Sequence, residues 1–184
     1  MKLRNLLVSL AGSALLAGGV AAHAGPYFGG DVGFSDTDQG NSPTIRLFGG
    51  YMFDQQQLQL RGPLRWGAEG ALINVNKDGG FSSTGVSASL VGEMPWTVLF
   101  KDWSYAPQFA FTASVGVYLW HAKYEKTGFS ESDNGVSPVA SIGASYAIQP
   151  GFKARLGLRN TLNVGKSDWQ TDLFMPYVGL SYEF

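Results

Sequence analysis

The chain has 184 residues, 13 of them basic and 14 acidic, and it contains no cysteine. That length fits one domain. The missing cysteine excludes disulfides, thiolate metal sites and a cysteine nucleophile, and the slightly acidic balance with no basic tract excludes an electrostatic nucleic-acid binder. An aromatic share of 14% and 25 glycines are high for so few charges. Both suit a barrel with aromatic girdles and glycines where strands bend or crowd.

In chain order, Lys2 and Arg4 precede the apolar stretch Leu6–Val20, and Ala22-His23-Ala24 supplies the small-x-small pattern that signal peptidase reads. The expectation is a cleaved signal peptide over 1–24 and a mature domain over 25–184. Beyond it, no apolar run approaches the ~20 residues of a spanning helix. A mature chain that crosses a membrane must then do so as a closed barrel, because unpaired backbone groups in lipid cost several kcal/mol each. The outer membrane is the expected destination.

From Gly25 onward the apolar signal repeats at every second residue, the period of a strand. Strand β1, about Pro26–Ser35, sets Phe28, Val32 and Phe34 against Tyr27 and Asp31. β2, about Thr44–Phe53, sets Ile45, Leu47, Tyr51 and Phe53 against Thr44, Arg46 and Met52. β3, about Arg65–Asn74, sets Trp66, Ala68 and Leu72 against Arg65 and Glu69; β4, about Gly85–Trp96, sets Val86, Ala88, Leu90 and Met94 against Ser87, Ser89 and Glu93. β5, about Gln108–His121, carries Phe109, Phe111, Ala113, Val115, Val117 and Leu119 opposite Gln108, Thr112, Ser114, Gly116 and Tyr118. β6, about Val136–Ile148, carries Val136, Ala140, Ile142, Ala144, Tyr146 and Ile148 opposite Ser137, Ser141, Gly143 and Ser145. β7, about Phe152–Thr161, sets Phe152, Ala154, Leu156 and Leu158 against Lys153, Arg155, Arg159 and Thr161. β8, about Asp172–Phe184, sets Phe174, Val178, Leu180, Tyr182 and Phe184 against Tyr177, Ser181 and Glu183.

A soluble sandwich also alternates. Here, however, the apolar set is continuous over strands of ~9–11 residues, the length of a tilted membrane crossing. The other face carries charge, serine and glycine along its middle, as a polar lumen does. The predicted fold is all-β: an eight-stranded antiparallel up-and-down transmembrane barrel. Both ends of such a barrel lie in the periplasm, so segments 36–43, 75–84, 122–135 and 162–171 are expected as extracellular loops and 54–64, 97–107 and Gln149-Pro150-Gly151 as periplasmic turns. Leu58 and Leu60 alternate with glutamine in the first of these turns, which suggests strands projecting below the bilayer.

The last third is specific enough to resemble a known family. Asp133-Asn134-Gly135-Val136-Ser137-Pro138-Val139, then Tyr146-Ala147-Ile148-Gln149-Pro150, then Ala154-Arg155-Leu156 resemble the transmembrane domain of the outer-membrane protein A (OmpA) family. Phe48-Gly49-Gly50-Tyr51 and Tyr118-Leu119-Trp120 are similar as well. The expectation is that barrel without the family's periplasmic peptidoglycan-binding domain. The resemblance implies a lumen salt bridge between Glu69 on β3 and Arg155 on β7. The family's alternative partners, a β4 lysine and a β6 glutamate, fall on Val91 and Ser145, so its partner-swapping gate lacks two members. Glu93 is one inward step further along β4 and is the expected substitute. The chain's ending, Leu180, Tyr182 and Phe184 at every second position, resembles the signature by which the outer-membrane assembly machinery recognises its substrates.

The inward set Asp31, Arg46, Glu69, Glu93, Lys153, Arg155, Arg159 and Glu183 must be paired, because an unpaired charge in a narrow lumen is costly. One reading is a static plug that rigidifies the barrel and so supports outer-membrane integrity; the other is a gate whose pairs exchange to pass water or small ions. Eight strands leave no wide, porin-like channel. A third reading is adhesion through loop 122–135, toward host surfaces, phage or lipopolysaccharide. A fourth is lipid A chemistry at His121, the one histidine after the signal peptide. Lipid A deacylases place a serine two residues after such a histidine, and here that residue is Lys123. With no Ser-His-acid order and no metal-ligand spacing, the chain is read as a non-enzyme without cofactor or metal. His121 is expected at the interface beside Trp120 and Tyr124, with Trp66, Trp96 and Trp103 as girdle anchors. The expected partners are outer-membrane lipids, lipopolysaccharide and the assembly machinery, and the expected state is a monomer.

Overall fold

A computed structural model describes residues 25–37, 40–53, 64–78, 80–102, 108–126, 129–165 and 169–184. The expected signal peptide, most of turn 54–64 with Leu58 and Leu60, and Trp103 lie outside the described residues. Eight antiparallel strands close into a barrel in sequence order. They are β1 Gly25–Thr37, β2 Gly40–Met52, β3 Arg65–Asp78, β4 Phe81–Pro95, β5 Phe109–Lys126, β6 Phe129–Gln149, β7 Phe152–Val164 and β8 Thr171–Glu183. Closure runs through β1 and β8, with Tyr27 opposite Glu183 and Val32 opposite Val178, so no sheet edge is left along the shared length. The start of β1 and the end of β8 meet at one rim, the periplasmic side in barrels of even strand number.

The alternation predicted from the sequence sets the two faces. Val115, Ile142, Leu156 and Val178 point outward and are 60–64% exposed, which a lipid solvent accommodates and water does not. Along β5 the outward apolar row runs from Phe109 to Leu119. At a rise of ~3.3 Å per residue and a steep tilt it covers roughly the 25 Å of an outer-membrane apolar band. The row ends at His121, whose Nδ1 lies 2.8 Å from Asn134 Oδ1 on the outer face. Trp66 is outward, and Trp96 stacks on Phe109 and Phe111 at 5.0 and 4.7 Å, as girdle residues do.

Two expectations are corrected. The extracellular segments are mostly not loops: β1 and β2 reach Thr37 and Gly40, β3 and β4 reach Asp78 and Phe81, and β5 and β6 run through nearly all of 122–135. Above the lipid the ladder persists because strand pairing needs a hydrogen-bonding neighbour, not an apolar face. There Lys77 ion-pairs with the exposed Glu125 and holds its carboxyl below the usual range. Trp120 is also not an interfacial neighbour of His121. Adjacent residues of a strand face opposite sides, and Trp120 turns inward, 6% exposed, as does Tyr124, which packs on the buried Trp169.

Where the backbone comes close, glycine is required. A Cβ on Gly29 would lie 2.3 Å from the Leu180 carbonyl and 2.5 Å from the Phe48 ring. Gly151, at φ +80°, makes the tight turn after Gln149.

A filled lumen as candidate functional site

Three layers of side chains occupy the interior. The central layer is charged and is built by strand register. Asp31 on β1 sits directly opposite Arg46 on β2, and Arg46 Nη1 meets Asp31 Oδ2 at 2.9 Å. The other terminal nitrogen of Arg46 bonds to Glu69 Oε1. From the far wall, Arg155 Nη1 reaches Glu69 Oε2 at 3.4 Å and Arg159 Nη1 reaches Asp31 Oδ1 at 3.4 Å. The Tyr27 hydroxyl donates to Glu69 Oε2 at 3.1 Å.

Aromatic rings separate the like charges. The Phe48 ring lies 4.7 Å from the Arg46 guanidinium carbon and 4.5 Å from that of Arg155, and Tyr177 lies 4.7 Å from that of Arg159. A desolvated cation–π contact contributes about 2 kcal/mol, so Phe48 tethers two guanidinium groups that would otherwise repel.

The second layer lies across the periplasmic mouth. Arg65 and Glu93 are direct cross-strand partners, with Nη1 and Oε1 3.1 Å apart. Arg65 also bonds to Glu183. Lys153 Nζ lies 2.9 Å from Glu93 and 3.0 Å from Glu183. Two cations and two carboxylates thus alternate in a half-buried ring. Between this ring and the central layer lies a cavity of about 30 Å³, walled in part by Val91, Thr112, Ser145, Arg155 and Ser181.

The third layer, toward the extracellular end, is apolar. Ile73, Val75, Phe81, Tyr118, Trp120, Val139, Val164, Trp169 and Leu173 form one buried cluster. Its polar atoms are engaged: Trp120 Nε1 donates to Ser137 Oγ at 2.7 Å, Ser83 Oγ and Tyr118 Oη are 3.1 Å apart, and Trp169 Nε1 donates to Glu131 Oε2 at 3.0 Å. Trp169 stacks on Tyr124, centroids 6.0 Å apart.

The eight charged residues singled out from the sequence therefore all line the interior, but in two groups. Glu69 and Arg155 meet. Glu93 does not join them: it belongs to the periplasmic ring, engaged by Arg65 and Lys153. The reason is register, since Glu69 pairs with Ser89 and Glu93 lies further toward the periplasmic end. Val91 and Ser145 supply no charge and stand as cavity walls. Sequence reasoning missed Arg65 as a network member, Phe48 and Tyr27 as its supports and the whole apolar cap, although all share the inward parity. At the chain's end, Leu180 and Phe184 are exposed on the outer face, and Tyr182 packs among Phe28, Phe152 and Phe184. Among the described residues, no group of three His, Asp or Glu side chains is placed to hold a metal.

The model of the outer membrane protein β-barrel domain family matches residues 6–184. Outer membrane protein A of Citrobacter freundii is 36% identical over 74 residues, which is 38% of this chain and 31% of that protein. The protein of the same name from Serratia marcescens is 33% identical over 79 residues, 38% of this chain and 22% of that one. The aligned part thus spans less than a third of either relative's length. Among solved structures, Neisserial surface protein A superposes with a TM-score of 0.56 at 14% identity, over 90% of this chain and all of that one. Ail of Yersinia pestis gives 0.51 at 16%, over 88% and 97%. At such identities the likeness is one of fold.

Proposed function

Since the chain belongs to the outer membrane protein β-barrel domain family and so resides in the bacterial outer membrane, we propose that it is a structural, non-enzymatic barrel whose ion-paired lumen closes it to solutes. The observation that carries this reading is the stacking of a charged layer, a charged ring and an apolar cap in one narrow interior. The interior cavity between the two charged layers, at about 30 Å³, has room only for a water-sized species or two. Ion pairs that join β1, β2, β3 and β7 across the lumen also resist deformation of the barrel, which is how such a protein supports membrane integrity.

The test is planar-bilayer recording on the purified barrel at high salt. Silence is the expected result, and discrete, reproducible single-channel steps would replace the plug with a gate. Glu69, which accepts from both Arg46 and Arg155, would then be the residue whose partners exchange.

The second part of the proposal concerns biogenesis. Leu180 and Tyr182 of β8 and the adjoining Phe184 present an apolar row on the outer face, and this row serves as the docking signal for the assembly machinery. Deleting Phe184 is expected to lower the amount of folded, heat-modifiable protein in membranes. Barrel that has assembled is expected to keep nearly the parent's urea midpoint, since Phe184 packs only at the rim against Phe28 and Tyr182. Normal folded yield in the deletion strain removes the signal.

A further inference from the structure

The central layer is short of one negative charge. Three guanidinium groups, of Arg46, Arg155 and Arg159, share the two carboxylates of Asp31 and Glu69, and all five side chains are 10% exposed or less. Every carboxylate oxygen is already taken. Asp31 Oδ2 accepts from Arg46 and Oδ1 from Arg159; Glu69 Oε1 accepts from Arg46 and Oε2 from both Arg155 and Tyr27. Arg46 Nε is buried with no acceptor among the described residues. The periplasmic ring does not supply the deficit, because its two carboxylates, Glu93 and Glu183, are each held by both Arg65 and Lys153. Donors and positive charge thus both exceed what the described residues offer, in a place where uncompensated charge is strongly disfavoured.

The cavity of about 30 Å³ adjoins this surplus. Arg155 and Lys153 form part of its wall with Tyr27, Thr112, Ser145 and Ser181; the carboxylates of Glu93 and Glu183 line it too, each already neutralised by Arg65 and Lys153. One water-sized species fits a space of that kind. Water would fill the volume and leave the charge unmatched. We infer that this cavity is a binding site for one small monovalent inorganic anion of halide size, held by the Arg155 guanidinium and the surrounding hydroxyls as a structural counter-ion. The site is independent of whether the barrel conducts, since it depends only on the charge count and the cavity.

The test compares urea unfolding of the wild-type barrel in lipid vesicles at constant ionic strength in sodium chloride, sodium bromide and sodium gluconate, the last too large to enter. The midpoint is expected to be higher in both halides than in gluconate and to saturate as halide replaces gluconate. Crystals grown in bromide are expected to show one anomalous peak beside Arg155. Ser145→Leu, which fills the cavity without touching an ion pair, and Arg155→Gln, which removes the surplus charge, are both expected to abolish the halide response. Should Ser145→Leu fail to fold, Thr112→Val, which removes one hydroxyl at nearly constant volume, takes its place and is expected to weaken the response. Equal midpoints in the three salts overturn the proposal. So does a halide effect of the same size in wild type and variants, which marks a general salt effect on the surface, and so does a water only in the bromide crystals.

Discussion

Glu69 takes donors from three strands at once: Arg46 from β2, Arg155 from β7 and Tyr27 from β1. Its removal leaves Arg155 without a carboxylate and Arg46 with Asp31 alone in a buried interior, and Glu69→Ala is expected to cost about 3–5 kcal/mol of unfolding free energy in lipid vesicles. Glu93 does not take over, because it is fixed in the periplasmic ring by Arg65 and Lys153. A double-mutant cycle on Glu69→Ala and Glu93→Ala is therefore expected to be additive to within about 0.5 kcal/mol, as for separate sites without shared partners. A strong coupling between the two would mean that Glu93 reaches Arg155 after all. The inward position of both acids was legible in the sequence, since parity alone decides it. Their separation was not. It depends on which residues of neighbouring strands stand opposite each other, and Arg65 facing Glu93 is set by a register that no single strand contains.

Adjacent positions on β5 provide a contrast between the two faces. Val115 is 62% exposed on the outer face. Ser114 faces inward, its hydroxyl 2.7 Å from that of Ser141. Val115→Arg is expected to destabilise by about 2–4 kcal/mol, the range for a cation near the bilayer midplane. Ser114→Asp, which puts an acid on the inward face at the level of Arg159, is expected to be better tolerated. Equal penalties in urea titrations of the two variants would contradict the assignment of faces. The alternation that fixes these faces was readable because it is a property of one strand. Strand length was less so. The apolar row stops near Leu119, where lipid stops, but β5 continues to Lys126, since the polar arm pairs with β6 as far as Phe129. Hydrophobicity marks the membrane boundary and not the end of hydrogen bonding. For the same reason the inward Ile73, Val75, Phe81, Trp120 and Leu173 escaped notice. They occupy lumen parity beyond the charged middle, where an interior assumed to be polar throughout has no place for them.

For the molecule as a whole, the proposed plug has three layers in series. A path along the axis conducts only if every constriction on it is open, and each closes by different physics. The central layer and the ring close by ion pairing, and the cap closes because an apolar, side-chain-filled segment excludes water and ions. Opening one therefore leaves the other two in place. Glu69→Ala in the centre, Arg65→Ala in the ring and Trp169→Ala in the cap are each expected to remain silent in planar bilayers, even where stability falls. Arg65→Ala leaves Lys153 between Glu93 and Glu183, so that variant weakens the mouth without emptying it. Trp169→Ala removes the ring that stacks on Tyr124 and packs near Phe81, loosening the cap while both charged layers persist. The triple variant, if folded by the criterion of heat-modifiable gel mobility, is expected to give discrete conductance steps. One single variant that conducts as well as the triple would show that its layer was the sole barrier and that the other two are porous packing.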